Sequence, residues 1–220
     1  MNFEESYQKY LILSESNGTT DKLSTNKSGF AVKYNIAQNK VIEWLIESNG
    51  TDENRYLQSI KEPYKELDLI NKKEDYFSFS IPKDYFEFID LKILAGKDSC
   101  QNQLFRTREV KGENVSNLLI DSFSNPSFKY RETFYTISKN NVQVYRDDFN
   151  IDYAEMSYYR YPKQVSLENP DNPESIFKNE QLDFDDKLIN RIIFMTVSLH
   201  ELASDDPKYQ AFKQETVQKF

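Results

Sequence analysis

Histidine occurs once in this 220-residue chain, at His200, and cysteine once, at Cys100. One thiol excludes an intramolecular disulfide, and one of each excludes the usual Cys/His zinc sites. The chain thus suits a reducing cytoplasm. Glycine occurs five times, never as G-x-G-x-x-G or G-x-x-x-x-G-K, so phosphate-cradling nucleotide loops are excluded. Serine hydrolysis needs a histidine base placed by an acid, and the lone histidine follows Leu199 in a helical pattern far from any nucleophile-elbow motif. No run approaches the roughly 18 apolar residues of a membrane helix. The first residues, MNFEESYQKYLILSESNG, are acidic, with an apolar group too short and interrupted for a signal peptide. The expectation is a soluble chain made inside a cell. Basic residues are outnumbered, 28 Lys and Arg against 36 Asp and Glu, giving a net charge of -8. That balance opposes a grip on phosphates, which needs basic stripes that release counterions. It suits a passage that DNA crosses without sticking.

Aromatic residues are plentiful: 16 Phe and 15 Tyr. They accompany many Asn, Lys and Ile, the set that AT-rich coding favours. The hydrophobic fraction of 38% lies below the globular norm of about 45–50%, so the core is modest for the length. The length itself suffices for one domain with a true core. We read a single domain over 1–220 of class α+β, a helical part packed with an antiparallel β-rich part. Its parts are an N-terminal helical segment (1–70), a β-rich part (71–162), an extended loop (163–183) and C-terminal helices (184–220).

Phe3, Tyr7, Tyr10 and Leu11 have helical spacing, after which SESNGTTDKLSTNKSG, with Gly18 and Gly29, reads as a flexible loop. A second helix is predicted over Ala37 to Ser48, with Ala37, Val41, Trp44 and Leu45 on one face. A third is predicted through Tyr56, Leu57 and Ile60 towards Pro63. Beyond NKKED the pattern changes to strand alternation in YFSFSIP, IDLKILAG and QLFRTREV, with PKDYFEF as a turn or short helical turn. Helical turns are expected around Val115 to Ile120. ETFYTISKNNVQVYRDD reads as a hairpin whose Asn140-Asn141 would tolerate positive φ. In YAEMSYYRYP, Ala154, Met156 and Tyr158 form the expected core face. The stretch from Pro162 to Asp183 is longer than compact domains carry without a reason. After it, Leu188, Ile192, Met195, Leu199 and Leu202 mark the strongest helix, and Asp206-Pro207 starts a last one through Tyr209 and Phe212.

The acid pairs Asp147-Asp148, Asp185-Asp186 and Asp205-Asp206 raise the alternative of a metal-dependent enzyme such as a nuclease. Each sits beside a turn or helix start, where capping is the plainer role. No catalytic, cofactor-binding or metal-ligating set is assigned. The run Tyr-Tyr-Arg-Tyr-Pro at 158–162 is the candidate interaction site, through Tyr159, Arg160, Tyr161 and Pro162. Tyrosine and arginine bury large area at interfaces while keeping a polar tip. Proline cannot donate to a ladder, so the strand is expected to leave the sheet at its edge there.

FSFSIPKDYFEFIDLKIL, LLIDSFSNPSFKYRE, VQVYRDDFNIDYAEMSYYRYPKQVSL and the closing amphipathic helices, taken in this order, resemble neck proteins of tailed bacteriophages. These are the head-tail connector or adaptor ring proteins, and the likeness is greatest to those of crAss-like phages. It is carried by IP-x-DY at Ile81 to Tyr85, D-x-F-x-x-P-S at Asp121 to Ser127, and YYRYP ending at Pro162. The resemblance implies a virion structural protein without catalytic residues, made in the host bacterial cytoplasm. It implies a ring of the chain itself, commonly of twelve copies, that joins the portal protein to other neck or tail proteins. DNA would be only a passing cargo, and no membrane or cofactor is implied. Pro82, Asp121, Pro126, Arg160 and Pro162 come over as fold and junction positions.

Overall fold

The computed structural model describes residues 1–16, 26–48, 55–169, 177–178 and 182–202, the last three by their backbone alone. The fold is α+β, and the chain forms two compact units, the first of residues 1–60 with 162–220 and the second of residues 61–161. The sequence-based division placed this first boundary at 70. The expected last helix and the side chains of His200 and Leu202 lie outside the described residues.

The first unit is helical. α1 (Phe3–Ser16) begins with a reciprocal cap: Glu5 N donates to Asn2 Oδ1 at 2.8 Å and Asn2 N to Glu5 Oε2 at 2.9 Å. α2 (Lys27–Ser48) starts ten residues before the expected position. The reason is Asn26, whose Oδ1 accepts from Gly29 N at 2.7 Å, so this glycine lies in a capped first turn and does not break the helix. The buried face of α2 includes Phe30, Tyr34, Val41, Ile42 and Leu45, whereas Trp44 is exposed. Its rings form an aromatic cluster with α1, as in the 5.1 Å separation of Tyr10 and Phe30.

α3 (Val115–Ile120) belongs to the second unit, and α4 (Asp186–Leu202) packs on α1 and α2. Asp185 caps α4 through Leu188 N at 2.8 Å. The helix buries Leu188, Ile189, Ile192, Ile193 and Val197, while Met195 and Leu199 are only half-buried, so its core face is rotated from the expected stripe. Both flanks of each turn are apolar here, and tertiary packing selects between them. The connection into α4 is tied down where it is described. Asn35 exchanges hydrogen bonds with Val165, at 2.9 Å to its carbonyl and 2.8 Å from its N–H, and Leu167 bridges to Phe177.

The second unit is built from β1 (Lys61–Glu66), β2 (Leu69–Lys72), β3 (Tyr76–Ser80), β4 (Tyr85–Lys97), β5 (Cys100–Glu109), β6 (Glu132–Ile137), β7 (Asn141–Tyr145) and β8 (Asn150–Arg160). β1 and the first half of β2 occupy residues assigned to the helical segment. Among the described residues a 3-10 turn at Gln58–Ile60 stands directly before β1, and the sheet, having partners for both strands, overrides their polar composition. Tyr85 to Phe88 likewise belong to β4, and only Pro82 to Asp84 turn.

The strands pair in the order β1-β8-β4-β5-β6-β7-β3-β2. Its two end strands are consecutive in the chain, joined by Leu67 and Asp68. Leu67 N donates to Ala154 O at 2.9 Å and Asp68 O accepts from Ser80 N at 2.8 Å, so one continuous segment closes the curled sheet into a barrel. Inside lie Phe77, Phe79, Leu91, Ile93, Phe105 and Val144 with Ala154, Met156 and Tyr158, the last three being the face expected of β8. All ladders are antiparallel except β5 with β6, which run parallel over Arg106 to Glu109. A parallel neighbour needs a crossover, and residues 110–131 supply it with α3. That helix covers the outer side of β6, where Val115 packs with Phe134 and Tyr145.

The β6–β7 hairpin forms as expected, closed by Ser138 N donating to Asn141 O at 2.8 Å. Neither Asn140 nor Asn141 has positive φ. Among non-glycine described residues positive φ falls on Asp98, Asn102 and Arg131, with Asp98 at 53° in the two-residue turn between β4 and β5. A short twisted turn demands it there.

Candidate functional site

Two of the three sequence motifs meet at one end of the barrel. Asp84, in Ile81 to Tyr85, accepts the Tyr158 hydroxyl on Oδ1 at 2.9 Å, and its carbonyl accepts Tyr161 N at 2.7 Å. Burial, and then the Asp84 carboxylate, raise the Tyr158 pKa above its ordinary value. Tyr161 sets its ring edge-on to Phe86 with centroids 4.8 Å apart and remains 47% exposed. Tyr159 is half-buried, and burial raises its pKa. Pro162 is buried and is the first residue of the chain's return to the helical unit.

The run does not lie at a sheet edge. β1 pairs with β8 on one side, placing Lys61 opposite Tyr159, and β4 pairs on the other, placing Tyr85 opposite Arg160. Proline ends the strand along its length, and β8 has a paired strand on each side. Arg160 finds a carboxylate within its own barrel: its Nε lies 3.3 Å from Glu62 Oε1. The chain crosses between units at Ile60–Lys61 and at Tyr161–Pro162. Lys61 and Tyr159 face each other in one ladder, so both crossings leave the same end of the β1–β8 pair.

The third motif lies apart, on the β5–β6 side. Asp121 builds a turn: Phe123 N donates to its Oδ1 at 3.1 Å and Ser124 Oγ to its Oδ2 at 2.7 Å, and these bonds, with Arg108 nearby, lower its pKa. Arg108 also donates to Ser124 O at 2.9 Å. The turn holds Phe123 outward, 98% exposed, and the same crossover exposes Ile120 at 84% and Tyr130 at 68%. Two hollows of about 310 and 620 Å³, the first lined by Phe123 and the second by Tyr130, share Arg106 and Glu132. The alternation of QLFRTREV puts Arg106 and Arg108 on one face, as found, but gives no sign of this apolar display. The signal available was the crossover length together with apolar residues outside any periodic pattern.

Three of the four described acids of these pairs are engaged in structure. Asp148 is paired with Lys97, Asp185 caps α4, and Asp186 lies 2.8 Å from the Met1 amine. Asp205 and Asp206 are outside the described residues. Among the described residues no three His, Cys, Asp or Glu side chains are grouped to hold a metal ion, and no helix is long and apolar enough to cross a membrane.

No protein-family model matches the chain, and a search of curated proteins finds no match. The surfaces themselves must therefore carry the functional reading. What they offer is contact area: large apolar side chains on a hydrogen-bonded turn, flanked by arginines, a composition that protein interfaces favour.

Proposed function

We propose that this chain is a structural subunit of a tailed-phage neck, assembled with copies of itself into a ring that joins portal to tail and continues the DNA channel. One observation carries the assembly part: Phe123 stands 98% exposed on a turn fixed by Asp121, and the crossover that holds it also exposes Ile120 and Tyr130. Leaving such side chains in water costs solubility, and monomeric proteins rarely display them together. A subunit that buries them on association gains that area back. The phage part rests on the resemblance of Ile81–Tyr85, Asp121–Ser127 and the YYRYP run to neck proteins. The net charge of -8 is compatible with a channel that does not retain DNA. Arg160 and Tyr161 are proposed as a further contact with a neighbouring subunit or neck protein, with Arg160 keeping Glu62 as its internal partner.

Negative-stain imaging and native mass measurement of the purified chain, alone and with portal protein, test this reading. Rings of a fixed copy number that bind portal support it. A monomer at every concentration, without portal binding, overturns it.

A further inference from the structure

The chain carries two outward patches of opposite character on its barrel, and neither is electrostatically complete. On the β5–β6 side, Arg106 and Arg131 are exposed, and neither has a carboxylate within ion-pairing distance among the described residues. Even Glu132, whose Cα is the ladder partner of Arg106, does not reach it. Both cations line one hollow with Leu104, at 55% exposure, and Tyr130, and the second hollow, which shares Arg106, reaches Phe123. Arginine flanking exposed aromatic rings is the composition of an interface anchor.

On the β1–β8–β4 side the imbalance is negative. Glu66 stands directly opposite Glu155 in the β1–β8 ladder, and like charges so placed repel. The cation that the adjoining ladder sets beside Glu155 is Lys92, whose Nζ lies over the Tyr64 ring at 3.3 Å from the centroid. Asp90 adds a further carboxylate, accepting the Tyr64 hydroxyl. A pair of guanidinium groups from outside would relieve this repulsion, and the first patch presents such a pair.

We propose that the ring contact is heterologous and runs from barrel to barrel: Phe123, Arg106 and Arg131 of one copy dock on Glu66 and Glu155 of the next. This rests on the ring reading above. The two patches occupy different strands of a closed barrel, so a copy that gives one patch to a neighbour keeps the other for a second neighbour. That is the condition for a closed ring instead of an isologous pair. Charge complementarity selects a second copy over nucleic acid as the occupant. Glu132 lines both hollows beside Arg106, the chain carries -8 overall, and a phosphate backbone would meet that carboxylate as well.

The test uses the full chain in sedimentation velocity across a concentration series. The variants are Arg106→Glu with Arg131→Glu, Phe123→Ser, Glu66→Arg with Glu155→Arg, and the quadruple reversal of all four charges. Circular dichroism checks that each folds, Arg106, Arg131, Phe123 and Glu66 being exposed and Glu155 half-buried. Wild type should assemble, and each partial variant should need at least about tenfold more protein to do so, a loss of about 1.4 kcal/mol or more. The quadruple reversal should recover assembly. If wild type assembles and the arginine variant matches it, this contact is wrong while the ring reading stands. Loss without recovery in the quadruple variant overturns the pairing with Glu66 and Glu155. A wild type that stays monomeric overturns the ring reading and the contact together. Binding of wild type to a DNA duplex that the arginine variant loses, with assembly unchanged, assigns the patch to nucleic acid and overturns the proposal.

Discussion

Tyr158 donates its hydroxyl to Asp84 at 2.9 Å, tying the buried member of the Tyr-Tyr-Arg-Tyr run to the turn that opens β4. Tyr158→Phe should therefore cost about 0.5–1.5 kcal/mol, measured by urea unfolding. The same bond gives a pH dependence. The folded-state pKa is raised, so the contribution is complete below the unfolded value near 10 and is lost as pH rises through the folded one. Wild-type stability should fall above about pH 10, and Tyr158→Phe should fall less steeply.

Leu188 is fully buried on α4, and Leu199 only half-buried. Leu188→Ala is expected to cost about 2–5 kcal/mol and Leu199→Ala clearly less. Equal losses in thermal or urea unfolding would place the helix face elsewhere.

Helix starts here rest on single side chains. Asp185→Ala removes the acceptor for Leu188 N, and Asn2→Ala removes half of the reciprocal cap on α1. Each should lower stability by about 1 kcal/mol. Replacement by serine should restore most of it.

Arg160 and Glu62 form a half-buried ion pair. A double-mutant cycle on Arg160→Ala and Glu62→Ala should give a coupling of about 0.2–1 kcal/mol. Beyond that, Arg160→Ala with Tyr159→Ala should leave the chain folded while reducing its assembly. An unfolded double variant would mean that these side chains serve only the barrel.

What the residues revealed follows from where their periodicity is tied to burial. Ala154, Met156 and Tyr158 alternate in sequence and all point inward, and Val115 to Ile120 form the expected helix. β1 and β2 gave no such signal. KEPYKE and LINK are exposed at nearly every position and hold their place through backbone bonds to β8 and β3. Long-range choices were equally hidden: the parallel pairing of β5 with β6 and the partner of Arg160 both depend on residues far away in the chain. For the candidate surface, Arg106 and Arg108 were recognisable as neighbours from alternation. The outward display of Phe123 was not, because hydrogen bonds to Asp121 and not periodicity decide it.

The seam at Leu67 and Asp68 carries a consequence for biosynthesis. β1 leaves the ribosome early, yet its partner β8 is nearly a hundred residues later, so the barrel cannot shut until almost three quarters of the chain exists. At about 5–20 residues per second, the edge of β1 waits for roughly 5–20 s. Pro63 and the charges of Lys61, Glu62, Lys65 and Glu66 guard it meanwhile against pairing with another nascent chain. The helical unit waits longer still, since α1 and α2 need α4. Maturation is thus expected to be ordered, with barrel first and helices last, and a chain cut short before residue 186 would emerge with a finished barrel and with α1 and α2 lacking the helix they pack on.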